Sequence, residues 1–145
     1  MASTRLGNYP ERFAAGVMLV NAGLGKLQRD KVDAVEVHAE VAAGYPFLEQ
    51  LPPEQLAKIL GVSEIVLGGA LLVPLVGDGL AGVALTAFAG AMLSLRVRDP
   101  ELRRGGGAPR QKGAAIARDV WLLGIGVGLA ADAVRHRRRL AKAEL

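Results

Sequence analysis

Four apolar runs, parted by charged or Gly/Pro-rich breaks, set the pattern of this chain. The first, residues 13–25, reads FAAGVMLVNAGLG, with Arg12 before it and Lys26 closing it. A membrane span needs about 20 residues. This run reaches that length if Arg12 and Lys26 lie at the two interfaces and extend their side chains to water. A secretory signal peptide is the competing reading, weakened because no small-x-small cleavage site follows and three more apolar runs do. The second run, residues 56–76, is broken only by Lys58, Ser63 and Glu64, with Pro74 near its end, where a lost backbone bond costs least. Gly77-Asp78-Gly79 reads as a tight turn into the third run, residues 80–95, so these two are antiparallel neighbours. The fourth, residues 114–134, is interrupted by Arg118 and Asp119 near its start.

The segments between the runs are polar. In residues 27–55, Val32, Val35 and Ala39 recur at helical spacing, the pattern of a short amphipathic helix over the bundle or on the membrane surface. Tyr45 and Phe47 then stand among prolines, which suits an interfacial turn, and Pro53 suits the first turn of the next helix. Residues 96–113 form a basic, Gly-rich loop, and 135–145 a basic tail. The pattern therefore predicts an all-α fold, an integral membrane bundle of four antiparallel transmembrane helices. The spans fall near 11–28, 56–76, 79–95 and 114–134, with the amphipathic segment between the first two.

Composition sharpens this picture. The chain is 145 residues long, enough for a single domain, and 51% hydrophobic, yet only 4% aromatic, with 19 glycines. Helices that associate in lipid do so through close backbone approach at small residues. Candidate packing stripes are Gly16 and Gly23 in the first span, Gly61 and Gly68 in the second, Gly82 and Gly90 (with Thr86 and Ser94) in the third, and Gly124 and Gly128 in the fourth. There is no cysteine, which excludes disulfides and thiolate chemistry in this chain. The two histidines, His38 and His136, stand far apart, so no metal site is expected. The net charge of +4 comes from basic residues just outside the apolar runs. With no aromatic residues interleaved among them, it points to charged loops beside a bilayer and not to nucleic acid.

Ionisable residues inside the spans are the candidate chemistry. Lys26 ends the first span and Glu64 lies within the second. Arg96 leaves the third, and Arg118 and Asp119 enter the fourth. Antiparallel spans bring all five towards one side of the membrane. Helical spacing puts Lys26 on the face of Gly16 and Gly23, and Glu64 on the face of Gly61 and Gly68. A charge in hydrocarbon seeks an opposite charge or a polar cavity, so Glu64 is expected to pair with Lys26 or Arg118 inside the bundle. The cluster serves either as an ion pair that locks the helices or as the mouth of a pocket for a quinone or a lipid headgroup.

Three stretches resemble the DoxX-like family of small bacterial four-span membrane proteins: RFAAGVMLVNAGLGKL from Arg12, GVSEIVLGGALLV from Gly61, and ARDVWLLGIGVGL from Ala117. The resemblance implies a bacterial inner-membrane bundle with both termini cytoplasmic. It also implies a link to redox systems, among them sulfur-compound oxidation coupled to quinone, which is how quinone enters as a cofactor. Lys and Arg are plentiful on both sides of the spans, but the cluster Arg137–Arg139 close to the last span also favours cytoplasmic termini. With no nucleophile–base pair, phosphate loop or metal cluster in the sequence, the expected role is a non-catalytic subunit or scaffold of a membrane redox or envelope complex. It would sit in the bilayer with a protein partner or as a homo-oligomer. A quinone- or lipid-binding redox component is the second expectation. A small transporter is the third, disfavoured because four short spans show no broken helix and no repeat.

Overall fold

A computed structural model describes residues 6–28, 31–98 and 110–143. Among these residues there are five α-helices: α1 (Tyr9–Gln28), α2 (Lys31–Gly44), α3 (Pro53–Leu72), α4 (Asp78–Val97) and α5 (Arg110–Ala143). Short 3₁₀ turns stand at Leu6–Asn8 and Pro46–Gln50. The fold is all-α. Of the basic stretch 96–113, residues 99–109 lie outside the described residues, as do 144–145 of the tail. The ends of both are helical, since α4 runs on to Val97 and α5 from Arg110 to Ala143.

Three helices are long and apolar enough to cross a membrane: α3, α4 and Gly113–Ala143 of α5. At about 1.5 Å per residue, the 20-residue helices span roughly 30 Å, the thickness of a bilayer's hydrocarbon core. Only 33%, 28% and 22% of their most apolar windows are buried inside the protein, so most of that apolar surface faces outward. Val62, Val66, Leu80, Val83, Val120 and Val127 are all at least half exposed. An exterior of this kind needs an apolar surrounding, and the protein is a membrane protein. α1 has the length of a span, but Glu11, Arg12 and Lys26 keep it below the apolarity of the other three.

The helices form two close antiparallel pairs, α1 with α3 and α4 with α5. Glycines set both approaches. A Cβ at Gly23 would stand 2.5 Å from the Gly61 carbonyl oxygen, and one at Gly68 would stand 2.7 Å from that of Gly16. In the second pair a Cβ at Gly82 would stand 2.5 Å from the Ala130 nitrogen, and one at Gly126 would stand 2.7 Å from that of Thr86. The fourth-helix stripe is thus corrected. Gly126, not Gly124 or Gly128, meets α4, and Gly90, Gly124 and Gly128 have nothing within 4 Å of a Cβ. Between the pairs the helices stand further apart around a shared core that includes Leu19, Leu71, Leu85, Leu122 and Leu129.

The α3–α4 connection differs from the tight turn expected at 77–79. A residue before proline is steered out of the helical region. Val73 is accordingly extended, with φ −84° and ψ 121°, and α3 ends at Leu72. Asp78 is already the first residue of α4, where its charge suits the helix dipole.

α2 packs across α3 and α4. Its inward face is also corrected: Ala34 and Val41 are buried, whereas Val35 and Ala39 are exposed, and the side chain of Val32 lies outside the described residues. Val41, Leu56 and Leu95 form a small second core there. Tyr45 fastens the segment to the end of α4, its hydroxyl 2.7 Å from Ser94 Oγ and its ring beneath the Arg98 guanidinium.

Candidate functional site

The five ionisable residues singled out in the sequence come together at the α2 end of the bundle. Glu64 stands eleven residues into α3, about three helical turns from Pro53, and is 1% exposed. Eleven residues also place it near the middle of the helix. Gly61 and Gly68 flank it on the face turned to α1, so its carboxyl points at the neighbouring pair member. Lys26, on α1, reaches down to it, with Nζ 2.6 Å from Oε2.

Asp119, on α5, is fully buried. Arg96 turns back from the end of α4 and places Nε 2.6 Å from Asp119 Oδ2. The Arg118 guanidinium bridges the two carboxylates, with Nη2 3.3 Å from Asp119 Oδ1 and 4.0 Å from Glu64 Oε1. A sixth group, Glu40 on α2, accepts from Arg96 Nη1 at 2.6 Å. The order is Lys26, Glu64, Arg118, Asp119, Arg96, Glu40: alternating charge, net zero, with every helix contributing. Glu40 is a member that helical spacing on the spans could not nominate, because α2 is not a span. His38, on the same helix, has an Nε2 that is buried without a hydrogen-bond partner.

A second polar cluster occupies the other end, and the sequence reading missed it. Arg12 is expected at an interface with its head in water, yet it is completely buried. Its guanidinium donates from Nε to the Leu71 carbonyl at 3.0 Å, from Nη2 to Ala70 and Val73, and from Nη1 to Val76. Nη1 also pairs with Asp78 Oδ1 at 2.6 Å. Five donors thus meet five acceptors. The reason lies in the end of α3, whose last carbonyls lack helical partners. Arg12 takes those of Ala70 and Leu71, and the Tyr9 hydroxyl takes that of Leu72. Asn8 Nδ2 donates to Asp78 and to Asp132 of α5, tying the cluster to the second pair. The signal available in sequence was Asp78 itself, an acid in the turn on the amino-terminal side of the membrane, opposite an arginine that begins the first span.

A buried, alternating ionic chain orients its donors and acceptors rigidly, and it can hold charge or polar ligand atoms without free water. Groups of three or more His, Asp or Glu able to hold a metal ion do not occur among the described residues.

The family model for methylamine utilisation protein MauE matches residues 11–132. That stretch takes in α2, α3 and α4 whole, most of α1 and α5, and the ionic groups of both clusters, though not Asn8 and Tyr9. It overturns the DoxX-like resemblance, whose three stretches amount to spaced glycines and flanking charges that other membrane helices share. No curated protein and no solved structure matches the chain. A match running from the first helix to the last apolar helix decides the matter: the chain belongs to the MauE family of methylamine utilisation proteins.

Proposed function

We propose that this protein is an accessory, non-catalytic membrane subunit of a methylamine-utilising redox system. The observation that carries the reading is the family match over residues 11–132, most of the bundle. The apolar exterior and the internally neutralised charges support it, because they suit a membrane anchor for a partner. Methylamine oxidation must pass electrons to an acceptor. In this reading the bundle holds or assembles the enzyme that does so, and no step of the oxidation occurs on its own side chains. The test is purification in mild detergent from cells grown on methylamine. Methylamine-oxidising activity should travel with the protein and separate from it in harsher detergent. Turnover of methylamine by the isolated chain refutes the accessory role.

In the same reading α1 is a fourth span. Support comes from its length, its lengthwise pairing with α3, and the outward Phe13, Val17 and Leu24. Its two inward charges are both matched by buried carboxylates. Both termini then lie on one side. We assign that side to the cytoplasm, because Arg135, Arg137, Arg138 and Arg139 are exposed just beyond the apolar part of α5.

A second reading, a component that binds a quinone or a lipid between the helices, is favoured by Arg118, whose donors are incompletely used. Quinone released on organic extraction of the pure protein supports it, and a quinone-free extract removes the quinone form.

A further inference from the structure

Within the long helices the charges of the network do not balance. Lys26, Arg96 and Arg118 face two buried carboxylates, Glu64 and Asp119. The sixth member, Glu40, belongs to α2 and is 37% exposed, so it offsets charge at the rim and not in the interior. The excess positive charge falls on Arg118. Lys26 and Arg96 each hold a carboxylate oxygen at 2.6 Å. Arg118 has only two bonds of 3.3 Å, from Nε and Nη2, to a single oxygen of its own neighbour Asp119. A charge-assisted N–H···O bond is normally about 2.7–2.9 Å. Among the described residues, Nη1 of Arg118 donates to nothing. An arginine at membrane depth with unused donors is costly, and the remedy is an acceptor, best an anion.

Position says which anion. Arg118 lies four residues into the apolar run of α5 that begins at Ala114, about 6 Å from its start. Helical side chains lean towards the amino terminus of their helix, which for α5 is the near membrane edge. The side chain is 24% exposed, and Trp121, one turn deeper on the same side of the helix, is half exposed. The guanidinium leans over Asp119 and towards Glu64, and its exposed edge, with an indole below it, is where a lipid phosphate drawn in from the hydrocarbon edge would meet it. The fork of N–H groups matches two phosphate oxygens.

We propose that Arg118 binds the phosphodiester of a membrane phospholipid, whose acyl chains lie against the exposed face of α5 at Val120, Trp121 and Gly124. Asp119 and Glu64 do not repel it, because each is neutralised at shorter range by Arg96 and Lys26. The site rests on the lipid form of the second reading and places that lipid on the outer face of α5; it is independent of the accessory role, which stands or falls on travelling enzyme activity.

The test uses the full chain in mild detergent, stripped of lipid and then titrated with palmitoyl-oleoyl phosphatidylglycerol. Native mass spectrometry and thermal unfolding read the outcome. Wild type should take up one tightly held lipid and become more heat-stable, saturating near one equivalent. Arg118→Gln should weaken that binding at least tenfold, and Arg118→Lys, which keeps the charge but loses the fork, should weaken it by less. Arg138→Gln, in the exposed extension of α5, should leave it unchanged. Equal lipid retention by Arg118→Gln overturns the proposal. So does stabilisation by inorganic phosphate equal to that by the lipid, which puts a free anion in the site. If Arg118→Gln does not fold, the wild-type titration and Arg118→Lys still decide. Uptake without saturation, or unaltered binding by Arg118→Lys, overturns the assignment.

Discussion

Two glycine-to-alanine changes on the α4–α5 pair should differ in their effect on stability, one destabilising and the other not. At Gly82 a Cβ would stand 2.5 Å from the Ala130 nitrogen, 2.8 Å from the Gly126 carbonyl oxygen and 2.9 Å from Leu129 Cβ. None of these atoms is the tip of a flexible side chain. Ordinary contact begins at 3.4 Å, so relief requires the helices to part by 3.4 − 2.5 = 0.9 Å at that point. A gap of that size forfeits about a quarter to a half of the local dispersion energy, and overpacking of this kind costs about 1–3 kcal/mol. Alanine returns up to ~1 kcal/mol of helix propensity. The expected net loss for Gly82→Ala is therefore about 0–2 kcal/mol, a factor of up to roughly 30 in the unfolding equilibrium. Gly126→Ala, facing Thr86 at 2.7 Å, should behave alike. Gly124→Ala meets nothing within 4 Å, keeps only the propensity term and should be neutral or stabilising by up to ~1 kcal/mol. Unfolding in mixed micelles of rising dodecyl sulfate content, followed by circular dichroism, measures the difference. Equal destabilisation by Gly82→Ala and Gly124→Ala would refute the reasoning, for it would mean that α5 turns its other glycine face to α4.

Arg12→Met should cost about 3–5 kcal/mol in the same titration, because it removes the cation that neutralises the buried Asp78 carboxylate and the donor to the carbonyls of Ala70 and Leu71. Arg12→Lys should recover less than half of that loss, since an ammonium has three donors where five acceptors wait, and wild-type stability in Arg12→Met would count against the pinning role. Lys26→Met and Glu64→Gln should each destabilise, while the double variant loses less than their sum, a coupling of about 0.5–3 kcal/mol across the 2.6 Å pair. Strict additivity would deny the pair. A single cysteine introduced as Ala143→Cys, unambiguous because the chain has no other, should resist an impermeant thiol reagent in intact cells, and labelling there would reverse the assigned orientation.

The helices were legible in the sequence where composition alone decides. Apolar length found α3, α4 and α5, and proline and glycine marked the α3–α4 break to within a few residues, whereas α5 runs on to Ala143, nine residues past its expected end at 134. The direction of side chains was legible only where two signals agreed. Lys26 and Glu64 each share a face with glycines that pack, so their inward orientation followed. Gly124 and Gly128 had spacing without a second signal, and Gly126, alone between them, is the one that α4 meets. Arg12 was misread because its position at the start of an apolar run suits a snorkelling residue equally well. What separates the two outcomes is the end of α3, whose last carbonyls turn to the Arg12 guanidinium, an approach that only the fold reveals. α2 was misread for a related reason. Its apolar positions are small and numerous, so several helical faces pattern equally well, and the packing of Val41 against Leu56 and Leu95 selects one.

These particulars assign different tasks to the two kinds of contact. Within each pair the backbones touch through glycine, which needs no side chain and tolerates none. Between pairs, leucines hold the helices further apart, and apolar packing of that sort specifies position weakly in lipid, where the tails are as apolar as leucine. The ionic groups cross that wider seam at both ends. Arg118 of α5 reaches towards Glu64 of α3, while Arg12 of α1 binds Asp78 of α4 and Asn8 reaches Asp132 of α5. Buried charges add little net stability, but they penalise every arrangement that leaves one unpaired. Register between the pairs is therefore fixed by charge and closeness within them by glycine. It follows that a glycine variant should loosen one pair, whereas a charge variant should let the two pairs shift against each other with each pair intact.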